Sequence, residues 1–127
     1  MTTIESPQPL LGERTLMRIH VGEADRFGDK PLHVAIVEFL RRSGIAGATV
    51  TQCEMGFGAT RAIHSRMSDL TALDLPVVIE CVDREDRIQS LLPELDAMIR
   101  GGLITLERAV VIAHRAHPQP PKAGGGA

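Results

Sequence analysis

An α+β sandwich with the element order β-α-β-β-α-β is the fold class that this sequence predicts. Three observations predict it. Apolar residues switch between a period of two and a period of 3.6 at clear boundaries. The two helical stripes are each flanked by strand patterns, so the chain divides into two β-α-β halves. The hydrophobic content is 43% with only 2% aromatic, which supplies an aliphatic core for one domain of 127 residues.

The elements follow in order. Arg14 to Val21 alternates, with Met17, Ile19 and Val21 pointing one way and Leu16, Arg18 and His20 the other, as in a strand. Gly22 to Lys30 carries two glycines and three acids and is expected to be a loop. Pro31 suits the first position of a helix, and Leu32, Ala35, Ile36, Phe39 and Leu40 form one face of it until Ser43-Gly44. Ala46 to Phe57 is β-branched and alternating, a second strand, followed by a long connection from Gly58 to Asp74. Leu75 to Asp83 is the third strand, with Val77, Ile79 and Cys81 on one face.

Asp83 is expected to cap the second helix, with Asp86 at its third position. Ile88, Leu91, Leu92, Leu95, Met98 and Ile99 give that helix its stripe, and Gly101-Gly102 ends it. Pro93 lies inside the stripe, where it removes one backbone hydrogen bond and is expected to bend the helix. Ala109 to His114 is the last strand, with an extended piece before it through Leu103 to Leu106. Together these elements make a ferredoxin-like βαββαβ sandwich, a four-stranded antiparallel sheet with two helices on one face. The folded domain runs over 13–114, between a flexible arm at 1–12 and a Pro- and Gly-rich tail at 115–127 that is expected to be disordered.

The helices leave one sheet face bare. Its expected residues are mixed: Leu16, Arg18 and His20 on the first strand, and Val78, Glu80 and Val82 on the third. Such a face calls for an oligomeric partner, and Arg18 with Glu80 suits a cross-strand ion pair there.

Composition also narrows the function. A formal charge of −2, with no Trp or Tyr, argues against nucleic-acid binding, which needs basic surface and stacking rings. No stretch reaches the ~18 apolar residues of a membrane span. The N-terminus has no signal-peptide pattern, so a cytoplasmic location is expected. Cys53 and Cys81 form neither a disulfide framework nor a zinc motif, and His114 with His117 adds no ligand set, so no metal or other cofactor is expected.

Three blocks carry a family likeness: LMRIHVGEADRFGDKPLHVAIVEFLRRSGIAGATV, GFGATRAIH and LPVVIECVDREDRIQSLLPELDAMIRGGLITLERAVVI. GATVTQCEMGFG resembles the strand that runs into the flexible loop of PII signalling proteins. The whole set resembles more closely a PII-like domain-of-unknown-function family, number one-ninety. The resemblance implies a homotrimer with open sheet faces inward. It also implies a small anionic ligand, such as an adenine nucleotide, in clefts between subunits, and action on a transporter or enzyme target through the loop. The chain departs from PII proteins at Arg100 to Thr105 (RGGLIT), where their Gly- and Lys-rich loop has no lysine counterpart.

Gly56, Phe57 and Gly58 are the most distinctive local feature. Two glycines around one ring let backbone N–H groups approach a phosphate, and equally make a sharp strand exit with Phe57 as a core plug. Arg61, His64 and Arg66 follow in the loop, where arginine suits bidentate anion recognition and solvated loop charge alike. Thr49 matches the threonine that PII relatives hold near their ligand. The expected ligand site is therefore Thr49, Gly56, Phe57, Gly58, Arg61 and His64. Gly22, Glu23, Asp25 and Arg26 form an acid-rich turn after the first strand, whose carboxylates offer ligands for Mg²⁺ beside a ligand phosphate, or simply turn and helix-end chemistry. No nucleophile-base constellation or paired carboxylate set is visible, so a binding module is expected rather than an enzyme. A small ferredoxin-like enzyme and a structural subunit without ligand are the alternatives.

Overall fold

A computed structural model describes residues 9–57, 63–65 and 74–115. The first strand, β1, spans Gly12–Gly22 and starts two residues before its alternation becomes legible at Arg14. Within the expected loop, two short strands, β2 (Arg26–Phe27) and β3 (Lys30–Pro31), pair antiparallel and tighten the turn. Helix α1 covers Leu32–Arg42 and buries the five apolar residues of the predicted stripe. Pro31 stands at its N-cap position, where its lack of an N–H costs nothing. The helix closes through Ser43 onto Gly44, whose φ of +82° suits a residue without Cβ.

Strand β4 is only Thr49–Gln52, shorter than the predicted Ala46–Phe57 run. Two contacts explain the difference. The Ala46 N–H goes to the Asp83 carboxylate at 2.9 Å, and beyond Cys53 the chain leaves the sheet to form β5 (Met55–Gly56), which pairs with β6 (His64–Ser65). Strand β7 is Pro76–Asp83 and alternates buried and half-buried residues throughout.

Helix α2 spans Glu85–Met98 and continues through Pro93, which is solvent-exposed, as is Gln89, whose carbonyl the proline cannot serve. Arg84, not Asp83, occupies its N-cap, and no side chain caps it. Asp83 serves the corner instead. Fully buried, it accepts the Arg84 N–H at 2.7 Å and the Ala46 N–H at 2.9 Å, tying the start of α2 to the exit of α1. Arg87 Nε stands 3.8 Å from the same carboxylate.

The last strand, β8, is Leu103–Val111, continuous and earlier than the expected Ala109–His114. Its nine residues pair with Gly12–His20 of β1, so register with the central strand sets its extent. Most of its residues are exposed, which blurs the alternation that would have marked it.

The main sheet has the order β4-β7-β1-β8, antiparallel throughout. Met17, Ile19, Val77 and Ile79 on one face pack with Ile36, Phe39 and Leu40 of α1 and Ile88 and Leu95 of α2. Both helices therefore cover the same face, as right-handed crossovers require. Among the described residues no helix is long and apolar enough to cross a membrane.

Cys81 belongs to this core. Burial, helped by the charge of Asp83, pushes its thiol up to about 11. The thiolate is the reactive species, so Cys81 should resist alkylation at pH 8 while half-buried Cys53 reacts first. Mass spectrometry after iodoacetamide treatment of the native protein should show one labelled cysteine, and two after denaturation. Equal labelling rates in the native protein would contradict this packing.

Candidate functional site

The sheet face away from the helices carries half-buried residues of both signs and of none. Cross-strand register aligns Thr49 of β4, Glu80 of β7, Arg18 of β1 and Thr105 of β8 in one row across the whole sheet. Residues opposite one another in an antiparallel pair share a face, so this row is continuous. Arg18 Nε donates to Glu80 Oε1 at 3.1 Å, and Arg18 Nη1 donates to Glu107 on β8. The hydrogen bond to Glu80, then the charge of Glu107, holds the Arg18 guanidinium even more firmly protonated than usual. Glu107 stands outside the row, opposite Leu16, and one cation between two carboxylates leaves this ion-pair network with a net negative charge. The side chains of Arg18, Glu80 and Glu107 remain 38%, 43% and 53% exposed, so water screens the network in the isolated chain.

Three aliphatic residues and a histidine flank the row. Leu16 and Val82 face each other on one side, and His20 and Val78 on the other. On the Leu16 side lies a groove of about 500 Å³, within the size range of small-ligand sites. Its floor is Leu16, Glu80 and Val82. Gly47, Ala48 and Thr49 stand on the β4 side, and Leu10, Val111 and His114 on the side of β1 and β8.

The predicted site residues fall into separate places. Thr49 is exposed and opens onto the groove. Gly56 lies beside Pro76, four residues further along β7 from Glu80, the partner of Thr49. At ~3.3 Å per strand residue, that is about 13 Å away within one chain. A Cβ on Gly56 would stand 2.7 Å from Pro76 Cγ, so glycine is required here for the chain to pass over Pro76. Phe57 is 58% exposed and is not a core plug. The backbone of His64 pairs with Gly56, and its side chain lies outside the described residues, as do Gly58, Arg61 and Arg66.

The acidic turn after β1 is occupied with its own backbone. Asp25 Oδ2 accepts the Gly22 N–H at 2.9 Å, and Asp74 Oδ1 accepts the Ala24 N–H at 3.1 Å. Among the described residues, no group of three or more His, Cys, Asp and Glu is arranged to hold a metal ion.

Three residues of this face escaped the sequence reading. Glu107 was hidden because the last strand was expected to begin at Ala109, although Leu103, Thr105 and Glu107 do alternate with Ile104 and Leu106. Leu10 and His114 fall at opposite ends of the chain, and no local pattern joins them.

Comparison with known proteins is consistent with this geometry. Residues 14–111 match the family DUF190, described as an uncharacterised ACR family. A UPF0166 protein of Aquifex aeolicus is 35% identical over 100 residues, covering 79% of this chain and 94% of that protein. A UPF0166 protein of Methanocaldococcus jannaschii is 36% identical over 92 residues, covering 72% and 84% respectively. Among solved structures, a putative PII-like signalling protein of Thermus thermophilus superposes with a TM-score of 0.60 at 19% identity, over 81% of this chain and 93% of that one. CPII, a nitrogen regulatory PII-like protein of Thiomonas intermedia bound to ADP, AMP and bicarbonate, superposes with a TM-score of 0.56 at 18% identity, over 78% and 88%. Profile, relatives and fold agree: the chain belongs to the DUF190 family of UPF0166 proteins and has the PII-like, ferredoxin-like fold.

Proposed function

We propose that this protein is a PII-like regulatory module that assembles as a homotrimer through its open sheet face. In this reading it binds a small anionic ligand, an adenine nucleotide first among candidates, in clefts between subunits. It then acts on a protein target, a transporter or an enzyme, through the connection between β5 and β7. It works in the cytoplasm, and by binding rather than catalysis. The observation that carries the reading is the bare sheet face. A charged row, Thr49–Glu80–Arg18–Thr105, lies between the Leu16–Val82 and His20–Val78 pairs beside a groove of ligand size. A partner subunit covers aliphatic surface and removes the row from solvent, where an ion pair is screened less. The ADP, AMP and bicarbonate bound to CPII support the choice of ligand class.

Calorimetric titration with ADP, AMP and ATP, each with and without bicarbonate, tests it. At least one nucleotide should bind, and at 100 times its Kd it should raise stability by about 2.7 kcal/mol. No heat and no thermal shift with any of them would end the nucleotide reading. Turnover of a bound nucleotide would revive the enzyme alternative.

A further inference from the structure

Part of one wall of the groove comes from outside the residues that the family match covers. The Leu10 N–H donates to Nδ1 of His114 at 2.9 Å, joining positions 104 residues apart. Leu10 is 8% exposed, although Pro9 before it and Leu11 after it are exposed. A leucine buried between exposed neighbours, ahead of the first strand, is held by tertiary contact and not by any element of its own. Accepting through Nδ1 also defines His114: that nitrogen carries no proton in this contact, and the ring is oriented by the bond. Both residues line the groove, opposite Ala48 and Thr49. Both lie outside residues 14–111, the part matched by the family.

We propose that Leu10 and His114 form a clasp that closes one side of the groove and makes these two residues, which flank the family-matched region, determinants of which ligand it holds. Without the clasp, Leu16 and Val82 would form the floor of a shelf open toward β8. With it, a flat ligand rests between the Leu10 side chain and the Ala48–Thr49 edge, on the Leu16 and Val82 side chains with Glu80 beside them. The Thr49 hydroxyl and the Glu80 carboxylate accept hydrogen bonds from such a ligand. That chemistry fits a planar, largely apolar body bearing hydrogen-bond donors, as a nucleobase does. Holding the wall in place before binding avoids the ordering cost that a loose segment would impose. The proposal rests on the reading above in taking this groove as a ligand site, but the clasp does not require the ligand to be a nucleotide.

The test uses two probes, ADP by calorimetry and the apolar anion anilinonaphthalene sulfonate by fluorescence. Each is titrated into the full chain, Leu10→Ala, His114→Ala and a chain lacking residues 1–10. Val110→Thr, exposed and away from the groove, is the control. Both probes should bind the full chain and the control alike, and all three clasp variants should bind each at least fivefold more weakly. Thermal melts identify any variant that fails to fold, and the remaining variants then decide. ADP without binding, beside a fluorescent probe that binds and is weakened by the variants, ends the nucleotide reading and keeps the clasp. ADP bound equally by full chain and variants overturns the clasp and keeps the nucleotide reading. Binding of neither probe to the full chain overturns both.

Discussion

Asp83→Ala is expected to destabilise the protein by about 2–4 kcal/mol, because two backbone N–H groups at a packed corner lose a charged acceptor together. The carboxylate is fully buried and accepts from Ala46 and Arg84, one at the exit of α1 and one at the entry of α2. A domain near 100 residues loses roughly 4–8 °C of melting temperature per kcal/mol, so the midpoint should fall by about 10 °C or more. Asp83→Asn retains an acceptor oxygen and should lose about half as much. Asp86→Ala is the comparison, since its exposed carboxylate, in the first turn of the helix, pairs with exposed Arg84. Such surface pairs contribute ~0–1 kcal/mol. Thermal or urea unfolding of the three variants decides the matter. Equal effects at Asp83 and Asp86 would mean that Asp83 acts as an ordinary helix-end charge and not as the tie between the two β-α-β halves.

Arg18→Glu should have the largest effect on assembly. The guanidinium stands between Glu80 and Glu107, so a carboxylate in its place gathers three negative charges across neighbouring strands. In the isolated chain these groups are partly hydrated, and the fold should survive with an unchanged circular dichroism spectrum. In the proposed trimer they would be crowded away from water, where like charges repel strongly and desolvation adds to the cost. Light scattering should therefore move from three chains to one at micromolar concentration. Arg18→Lys, which keeps the charge but loses the fork that reaches two acceptors, should fall between. A trimer that persists in Arg18→Glu would place the interface elsewhere on the molecule. An unaltered chain that is itself monomeric would remove the basis for clefts between subunits.

Much of this architecture is legible locally. The alternation through Met17, Ile19 and Val21 and through Val77, Ile79 and Cys81 names the core face of both central strands. The stripe from Leu32 to Leu40 names the buried face of α1. The same alternation assigns Arg18 and Glu80 to the bare face, and the pleat makes them direct partners once the strands pair. Helix and strand periods are properties of consecutive residues, so they survive translation from sequence to structure without knowledge of the rest.

The tertiary structure decided what depends on distant partners. Asp83 looks like a helix cap from its neighbours, yet the approach of Ala46, 37 residues away, gives it a second duty. The strand pattern of Ala46 to Phe57 is interrupted because its first N–H is claimed by that carboxylate and its last residues pair with His64 and Ser65. Thr49 and Gly56, close in sequence, end about 13 Å apart along β7, since an extended chain gains ~3.3 Å per residue. Leu10 and His114, distant in sequence, meet in one hydrogen bond because β1 and β8 run antiparallel and bring both ends of the domain to the same edge. By itself the sequence determined the periodicity, and with it the core and the character of each sheet face. Strand register, which no stretch of consecutive residues encodes, decided which of those residues share a groove.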